Sequence, residues 1–209
     1  MKLLVLGATG PTGLQVVRQA LDLGHEVTAF VRDPKKLTVA DRRLDVVTGV
    51  LPGSAQTLAG ALRGRSAVIS ALGVRNAFRA HGLIEQSMRV LVPAMQHENV
   101  RRLVIVSAMG VGGSRRDAPL VPRLVYRLLL GDIFADKLAG EAVVRASSLD
   151  WTFLYPTLLT DGPRSGRYRA AERLALRGMP RISRADVADF ALRILSDAAW
   201  SGKIAMLSD

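Results

Sequence analysis

MKLLVLGATGPTG, residues 1–13, joins a short apolar run to three evenly spaced glycines. The run, residues 3–6, is typical of a strand that is buried on both faces of a parallel sheet. Gly7, Gly10 and Gly13 follow in the pattern GxxGxxG, and a helix-like segment begins directly after them. Strand, glycine turn and helix in this order favour a site for the phosphates of a dinucleotide; the alternative is an ordinary glycine-rich turn.

Each glycine of this turn has a separate expected role. Gly7 lets the chain turn sharply, Gly10 leaves room for the backbone to approach a pyrophosphate, and Gly13 lets the helix pack closely on the strand. Backbone N–H groups at the start of the helix, and the positive end of its dipole, would face the anion. Two threonines would add hydroxyl donors, and the proline suits a first helical turn. The cofactor-binding residues predicted here are Gly7, Thr9, Gly10, Pro11, Thr12 and Gly13.

The rest of the chain alternates between strand-like and helix-like segments. Strands are predicted over residues 26–31, 44–48, 67–70, 103–106, 151–155 and 203–207, and helices over 55–62, 84–96, 134–145 and 184–196. This order predicts a single α/β domain over residues 1–209, with a Rossmann-like, doubly wound, mostly parallel sheet of about six or seven strands and helices on both faces. Small C-terminal elements are expected on the substrate side. Residues 161–173 are interpreted either as a lid over the active site or as a surface loop.

The composition excludes several classes of protein. With 49% hydrophobic and 22% charged residues the chain resembles a globular protein, and the lack of cysteine excludes disulfides and cysteine nucleophiles. The three histidines are isolated, so no metal site is predicted. The net charge of +11 comes from scattered arginines without interleaved aromatic residues, which favours a solvated surface over nucleic-acid binding. Because no apolar run suits a membrane span or a leader, we expect a cytoplasmic protein, monomeric or weakly homo-oligomeric, that acts on a small molecule.

The end of the second predicted strand carries a signal for cofactor choice. In dinucleotide-binding folds this point meets the adenosine ribose, where a carboxylate accepts from the 2′-hydroxyl and a guanidinium binds a 2′-phosphate. Arg32 stands there, followed by Lys35 and Lys36, so NADP is favoured over NAD. Asp33 opposes this interpretation because it would repel the phosphate. The alternative is a surface charge cluster before a turn at Pro34.

Several stretches together resemble one protein family. GATGPTG resembles the phosphate loop of the atypical short-chain dehydrogenase/reductases, in particular their NAD(P)H-binding, NmrA-like group. Further matching stretches are FVRD at 30–33, SALGVRN at 70–76, VSA at 106–108 and RISRADVADFALRIL at 181–195. They span nearly the whole chain in the family's order. Within the group, the chain is most similar to the flavin reductase (biliverdin reductase B) branch.

The resemblance implies further site residues. The turn Ala71-Leu72-Gly73 would follow the cofactor's ribose and pyrophosphate, with Arg75 reaching a phosphate or the substrate. Ser107, followed by Ala108, would hydrogen bond the nicotinamide or a substrate carbonyl, and the turn after Pro156 would pass the nicotinamide. Relatives carry Gly-Asp after the third strand, whereas this chain has Gly49-Val50-Leu51, which leaves the backbone or Leu51 to contact the adenine.

The resemblance also exposes a gap in the catalytic residues. Typical members of the superfamily have Tyr-x-x-x-Lys, and Lys137 occupies the lysine position, but Ile133 stands where the tyrosine would be. Tyr126 and Tyr155 are not placed to replace it. Ketone reduction needs a positioned proton donor, whereas a flavin, a quinone or a similar planar conjugated acceptor needs mainly hydride alignment. Lys137 and Leu158 replace the substrate-side histidines of the biliverdin reductase branch, which weakens the case for a bilin.

These observations predict an NADPH-dependent oxidoreductase for a planar conjugated acceptor, with Ser107 and Lys137 as the catalytic residues. One alternative is an NADP-binding redox sensor of the NmrA type that does not turn the cofactor over. A weaker third is an enzyme that resembles the NAD-dependent sugar-nucleotide epimerases, whose chemistry uses the missing tyrosine.

Overall fold

The computed structural model describes residues 1–73, 81–117 and 131–209. Its strands are β1 (Lys2–Leu6), β2 (Glu26–Val31), β3 (Leu44–Thr48), β4 (Ala67–Ser70), β5 (Arg102–Val106), β6 (Asp150–Pro156), β7 (Leu158–Thr160), β8 (Arg169–Ala171), β9 (Arg181–Ser183) and β10 (Lys203–Ser208). The helices of the described residues are α1 (Pro11–Asp22), α2 (Ala55–Leu62), α3 (Leu83–His97), α4 (Gly131–Arg145) and α5 (Arg184–Arg193).

The central sheet has eight strands in the order β3-β2-β1-β4-β5-β6-β10-β8. All neighbouring pairs are parallel except β10 and β8, which are antiparallel. The doubly wound α/β fold is therefore confirmed, with eight strands instead of the six or seven expected. The strand order reverses between β1 and β4, and this switch point opens a crevice at the carboxyl ends of both strands.

The strands are apolar because helices cover both faces of the sheet. On one face α1 and α5 pack over β1, β2 and β6, and on the other face α2, α3 and α4 pack over the same sheet. Alternate residues of β6 point to opposite faces, so that Leu154 joins the first cluster while Phe153 and Tyr155 join the second. This alternation places the Tyr155 side chain beside α4.

The start of α3 is fixed by α4. Gly82, the residue before α3, offers no side-chain cap, and the carboxylate of Asp136 on α4 instead accepts hydrogen bonds from the N–H groups of Ile84 and Glu85, each at 2.9 Å. A Cβ at Gly140, one turn later on α4, would lie 2.9 Å from Ile84 Cγ2. The small residue and the buried carboxylate thus allow the two helices to pack close together.

A few expectations are refined by the structure. Ser183 caps α5 as expected, because its hydroxyl accepts from the N–H of Asp186 at 2.9 Å. The helix ends at Arg193, and Ile194–Ser196 continues as a 3₁₀ turn. Across residues 1–73, 81–117 and 131–209, no helix combines the length and apolar character needed to cross a bilayer, and no cluster of three metal-ligating side chains occurs.

Candidate functional site

The glycine turn lies at the switch point and is held there by close packing. Gly7 has φ +74°, and a Cβ on it would lie 2.5 Å from the carbonyl oxygen of Ala71. A Cβ on Gly13 would overlap the carbonyl oxygen of Gly7, so α1 packs directly on the turn. Backbone conformation and space therefore both require glycine at position 7, and space alone requires it at position 13.

Gly10 differs from its two neighbours in the motif. It is the residue before α1, has ordinary φ −77°, and provides no side-chain cap. A Cβ there would be 3.3 Å from the carbonyl oxygen of Gly7, which is tight but does not overlap. Gly10 therefore leaves the positive end of the α1 dipole without a side chain in front of it, on the side that lines the cleft described below, which suits an anion.

A cleft of about 370 Å³ runs along the carboxyl ends of β2, β1 and β4. Nine of the predicted cofactor-binding residues line it, namely Gly7, Thr9, Gly10, Arg32, Lys36, Leu51, Ala71, Leu72 and Gly73. Six others do not line it, namely Pro11, Thr12, Gly13, Ser107, Ala108 and Pro156. Arg75 lies outside the described residues.

One end of the cleft has an apolar wall that the sequence interpretation only partly identified. Phe30 lines the cleft together with Gly49 and Leu51, and its ring packs so closely on Gly49 that a Cβ there would overlap it. Leu83, at the start of α3, also lines the cleft. Phe30 was not predicted as a site residue, although its position just before Val31-Arg32 at the end of a strand could have indicated it. Leu83 had no such local signal, because it reaches the cleft only through the packing of α3.

The charges at this end are arranged to favour an anion. Arg32 is exposed and lines the cleft with Lys36. The carboxylate of Asp33, which could have opposed an anion, accepts from the N–H of Lys35 at 3.1 Å and lies 3.7 Å from Lys36 Nζ. Asp33 thereby caps the 3₁₀ turn Pro34–Lys36 and is not among the residues that line the cleft.

Beyond β4, the carboxyl end of β5 carries a buried polar cluster centred on Glu141 of α4. Ser107 Oγ donates to Glu141 Oε1 at 2.6 Å, and Tyr155 Oη donates to Glu141 Oε2, also at 2.6 Å. Arg145 Nη2 donates to Glu141 Oε2 at 3.1 Å, while the guanidinium of Arg145 lies over the rings of Trp151 and Phe153. Glu141 is only 2% exposed. We refer to Ser107, Glu141, Arg145 and Tyr155 as the Glu141 cluster.

Sequence reasoning missed Glu141, although a periodic signal was present. Lys137, Glu141 and Arg145 follow at intervals of four, so they share one face of α4. That this face points to β5 and β6 depends on the packing of α4, which the local sequence does not specify.

Lys137 lies one turn before Glu141 on α4. Its Nζ is 3.4 Å from the carbonyl oxygen of Val106, so the amine reaches the carboxyl end of β5 beside Ser107. Burial lowers the pKa of Lys137 to about 8, although the charges of Glu141 and Asp136 act in the opposite direction. The structure thus brings both predicted catalytic side chains to the same strand end.

No phenol replaces the missing proton donor among the described residues. Ile133 is a partly buried residue that packs against the core. Burial and the neighbouring Glu141 carboxylate both raise the pKa of Tyr155 well above its usual range, so Tyr155 keeps its proton. Tyr168 Oη donates a hydrogen bond to Asp189 Oδ2 of α5, on the other face of the sheet. Tyr126 lies outside the described residues.

The first part of the segment 161–173 is held on α5. The N–H groups of Ser165 and Gly166 donate to Asp186 Oδ1 at 2.8 and 2.9 Å. Burial alone would raise the pKa of Asp186, but these hydrogen bonds and that of Ser183 lower it. Arg169–Ala171 then forms the edge strand β8. Residues 161–168 therefore form a mostly exposed loop on α5, as the surface-loop interpretation expects. Residues 169–171 instead form a strand, which the sequence did not predict.

Comparisons with known proteins place this geometry in context. An uncharacterised chloroplastic protein of Arabidopsis thaliana is 31% identical over 172 residues, 79% of this chain, which spans only 61% of that protein's length. Anaerobilin reductase ChuY of Escherichia coli O157:H7 has the same fold, with a TM-score of 0.82 and 22% identity over 99% of this chain and 96% of that chain. So does a short-chain dehydrogenase/reductase of Veillonella parvula in complex with NADP, with a TM-score of 0.81 and 20% identity over 100% of this chain and 94% of that chain.

The identity of the family comes from the sequence itself. A family profile described as NAD(P)H-binding matches residues 7–198, which run from the first glycine of the turn to beyond α5. This span includes every residue that lines the cleft except Leu6. The chain belongs to the NAD(P)H-binding family.

Proposed function

We propose that this protein is an NADPH-dependent reductase that transfers a hydride to a flavin, a quinone or a similar planar conjugated acceptor. The observation that carries the proposal is the Glu141 cluster. The hydroxyl protons of Ser107 and Tyr155 are both directed to one carboxylate, and Ile133 occupies the position of the usual phenol. With no hydroxyl acid available in this part of the described chain, an acceptor whose reduced form is stabilised by delocalisation suits the site better than an isolated ketone.

The layout of the cleft supports a direction for the cofactor. Arg32 and the wall formed by Phe30, Gly49 and Leu51 suit the adenosine end with its 2′-phosphate. The glycine turn and the start of α1 suit the pyrophosphate. The nicotinamide end then points along the sheet past the turn Ala71-Leu72-Gly73, towards the carboxyl end of β5.

The chain's own groups would bind and orient the reactants. When bound, reduced nicotinamide supplies a hydride, and the acceptor completes its two-electron reduction by taking a proton from water or from the ammonium of Lys137. Lys137 stands at the strand end where that proton is needed, and burial has lowered its pKa to about 8. Positioning of the two planar rings supplies most of the rate acceleration.

Two neighbouring folds agree with this proposal. One neighbour is an anaerobilin reductase, and another was solved with NADP. Within the proposal we place flavins first, because the sequence resembles the flavin reductase branch and Leu158 stands where that branch has a histidine.

The charged surface supports a small-molecule partner. Several arginines are neutralised by carboxylates, including Arg43 by Asp41 at 2.9 Å and Arg184 by Asp161 at 2.6 Å. Local pairing of this kind reduces the field that a nucleic-acid backbone would require. On this pairing we propose that the protein works without a nucleic acid. We also propose, as the sequence predicts, a monomer or weak homo-oligomer in the cytoplasm.

The decisive experiment measures NADPH oxidation by the purified protein from the absorbance of the nicotinamide. FMN, riboflavin and a small quinone serve as acceptors, with NADH run beside NADPH. Acceptor-dependent oxidation that prefers NADPH is the expected result. An inert protein that nevertheless binds NADPH would contradict the reductase proposal.

The second candidate is a redox-sensing regulator that binds NADP without turnover. The same Glu141 cluster favours it, because a site without a free hydroxyl acid also suits binding alone. A sensor would bind oxidised and reduced cofactor with different affinities and would show no oxidation with any acceptor of the panel.

A further inference from the structure

In the Glu141 cluster, Ser107, Arg145 and Tyr155 donate hydrogen bonds, and the carboxylate of Glu141 accepts all of them. Arg145 pairs with Glu141 at 3.1 Å, and its own position is held by the aromatic rings of Trp151 and Phe153, 4.9 and 4.7 Å from the guanidinium carbon. A guanidinium donates hydrogen bonds and accepts none, so Glu141 Oε2 is the acceptor of this pair. An ionised carboxylate can only accept hydrogen bonds.

This arrangement decides which way the Ser107 hydroxyl points. A serine hydroxyl has one proton and two lone pairs, and at 2.6 Å the proton of Ser107 is directed to Glu141 Oε1. Ser107 is 5% exposed, at the carboxyl end of β5. Any ligand group at that end therefore meets the lone pairs of Ser107 and not its proton.

The group that Ser107 meets follows from its place in the sheet. The turn Ala71-Leu72-Gly73 lines the cleft at the end of β4, and β5 is the next strand, about 4.8 Å further along. In the proposed orientation the 2′-phosphate lies at Arg32 and the pyrophosphate at the glycine turn, so the nicotinamide end, with its carboxamide, is the part of the cofactor directed from the cleft towards β5. This step rests on the proposed function.

We infer that Glu141 is a positioning residue that fixes Ser107 as a hydrogen-bond acceptor, so that Ser107 binds the N–H₂ group of the nicotinamide carboxamide. A serine whose proton is free could instead donate to a carbonyl oxygen. The carboxylate thus sets the orientation of the nicotinamide plane through a residue that contacts the cofactor, without contacting the cofactor itself.

The test compares two oxidised cofactors, NADP⁺ and its 3-acetylpyridine analogue. Both carry a carbonyl oxygen, but only NADP⁺ carries an N–H₂ group beside it. Calorimetry with the wild-type protein is expected to show about fivefold tighter binding of NADP⁺ from the hydrogen bond to Ser107. In Ser107→Ala that preference should disappear because NADP⁺ loses affinity, while the analogue keeps its own.

Glu141→Gln reverses the polarity at Ser107. Arg145 and Tyr155 both donate to Glu141 Oε2, so the amide oxygen of the glutamine takes that side and its N–H₂ group faces Ser107. Ser107 then accepts from the glutamine and has its proton free for the ligand. The preference should again disappear, but here because the acetyl analogue gains affinity, about two- to fivefold.

Each outcome has a distinct meaning. A wild-type protein without preference, or a Glu141→Gln variant in which both affinities fall by the same factor, would overturn the inference and leave Glu141 a structural residue. If Glu141→Gln does not fold, as judged by its melting curve, Ser107→Ala still tests whether Ser107 accepts a hydrogen bond from the nicotinamide. An unchanged preference for NADP⁺ in Ser107→Ala would refute the inference. Failure of the wild-type protein to bind either dinucleotide would refute the proposed cofactor site itself.

Discussion

In the proposed reductase, Arg32 is the residue that selects NADPH over NADH. Its guanidinium is exposed at the lip of the cleft, while the nearby carboxylate of Asp33 is occupied by Lys35 and Lys36. A charge-assisted contact of this kind contributes about 1.5–3 kcal/mol. Arg32→Ala should therefore raise the KM for NADPH about tenfold or more and leave the KM for NADH nearly unchanged.

The matched control for that measurement is Lys35→Ala. Lys35 is an exposed cation three residues further on that does not line the cleft. Its removal should change both KM values little, apart from a small effect of net charge that salt screens. Equal effects of the two substitutions would show that the general field, and not Arg32, selects the cofactor.

Gly7 and Gly10 should respond differently to the same added methyl group. Gly7→Ala places a Cβ 2.5 Å from the Ala71 carbonyl oxygen at φ +74°, so it should lower the free energy of unfolding by about 1–3 kcal/mol. Gly10→Ala meets only one atom, at 3.3 Å, and should fold almost normally. In the proposed binding mode it should nevertheless weaken NADP⁺ binding, because the methyl group would stand where the pyrophosphate approaches the start of α1. Melting curves and titrations on both variants separate the two roles, and a Gly10→Ala protein with normal binding would contradict the second.

At the scale of elements, α3 and α4 behave as one unit. Asp136 is 7% exposed, and within the described residues its carboxylate is the only side-chain group that accepts from backbone N–H groups at the start of α3. Asp136→Ala leaves two N–H groups without these partners and should lower the free energy of unfolding by about 1–3 kcal/mol in urea titrations. Asp45→Ala, at an exposed position of β3, is the control and should have little effect. Because Lys137 and Glu141 lie on α4, cofactor binding should weaken together with stability only in the first variant.

Elements with strong local signals could be predicted, and those that depend on partners could not. The continuous apolar run of β1 and the helical spacing of the buried apolar residues of α1 are local patterns that predict these two elements. The bounds of α3 differ from the predicted ones by one residue at each end. β8 and β9 have three residues each, too few for a periodic pattern. They are strands only because β10 and β7 lie beside them.

The same distinction applies to the site. The predicted roles of Gly7 and Arg32 follow from the residues next to them in the chain, so the sequence alone indicated both residues. Glu141 acquires its role from Ser107, 34 positions earlier, and Tyr155, 14 positions later. Such a cluster follows from the way α4 packs over β5 and β6, and no single stretch of the chain encodes it.

At the scale of the whole molecule, Lys137 links stability to pH. An unfolded lysine keeps its proton up to about pH 10.5, whereas burial lets folded Lys137 release its proton near pH 8. Between these values the unfolded state binds more protons, so the contribution of Lys137 makes the free energy of unfolding rise with pH. The rise is at most about 1.4 kcal/mol per pH unit.

Urea titrations from about pH 7 to about pH 10 measure this contribution as the difference between wild type and Lys137→Met. The variant should lack the rise and be the more stable protein at the lower end, because it no longer buries a charge. Lys35→Met, at an exposed lysine, should follow the wild-type curve. Parallel curves for wild type and Lys137→Met would contradict the lowered pKa.

The place of β10 in the sheet has a consequence for biosynthesis. Of the described strands, β10 comes latest along the chain, yet it lies inside the sheet, between β6 and β8. At about 5–20 residues per second, residues 157–202, between β6 and β10, take about 2–9 s to be synthesised. Throughout that interval β6 has an unpaired edge that can capture the wrong strand, including one from a neighbouring nascent chain. Slower translation of this stretch should therefore reduce the yield of correctly assembled protein while leaving the finished molecule as stable as before.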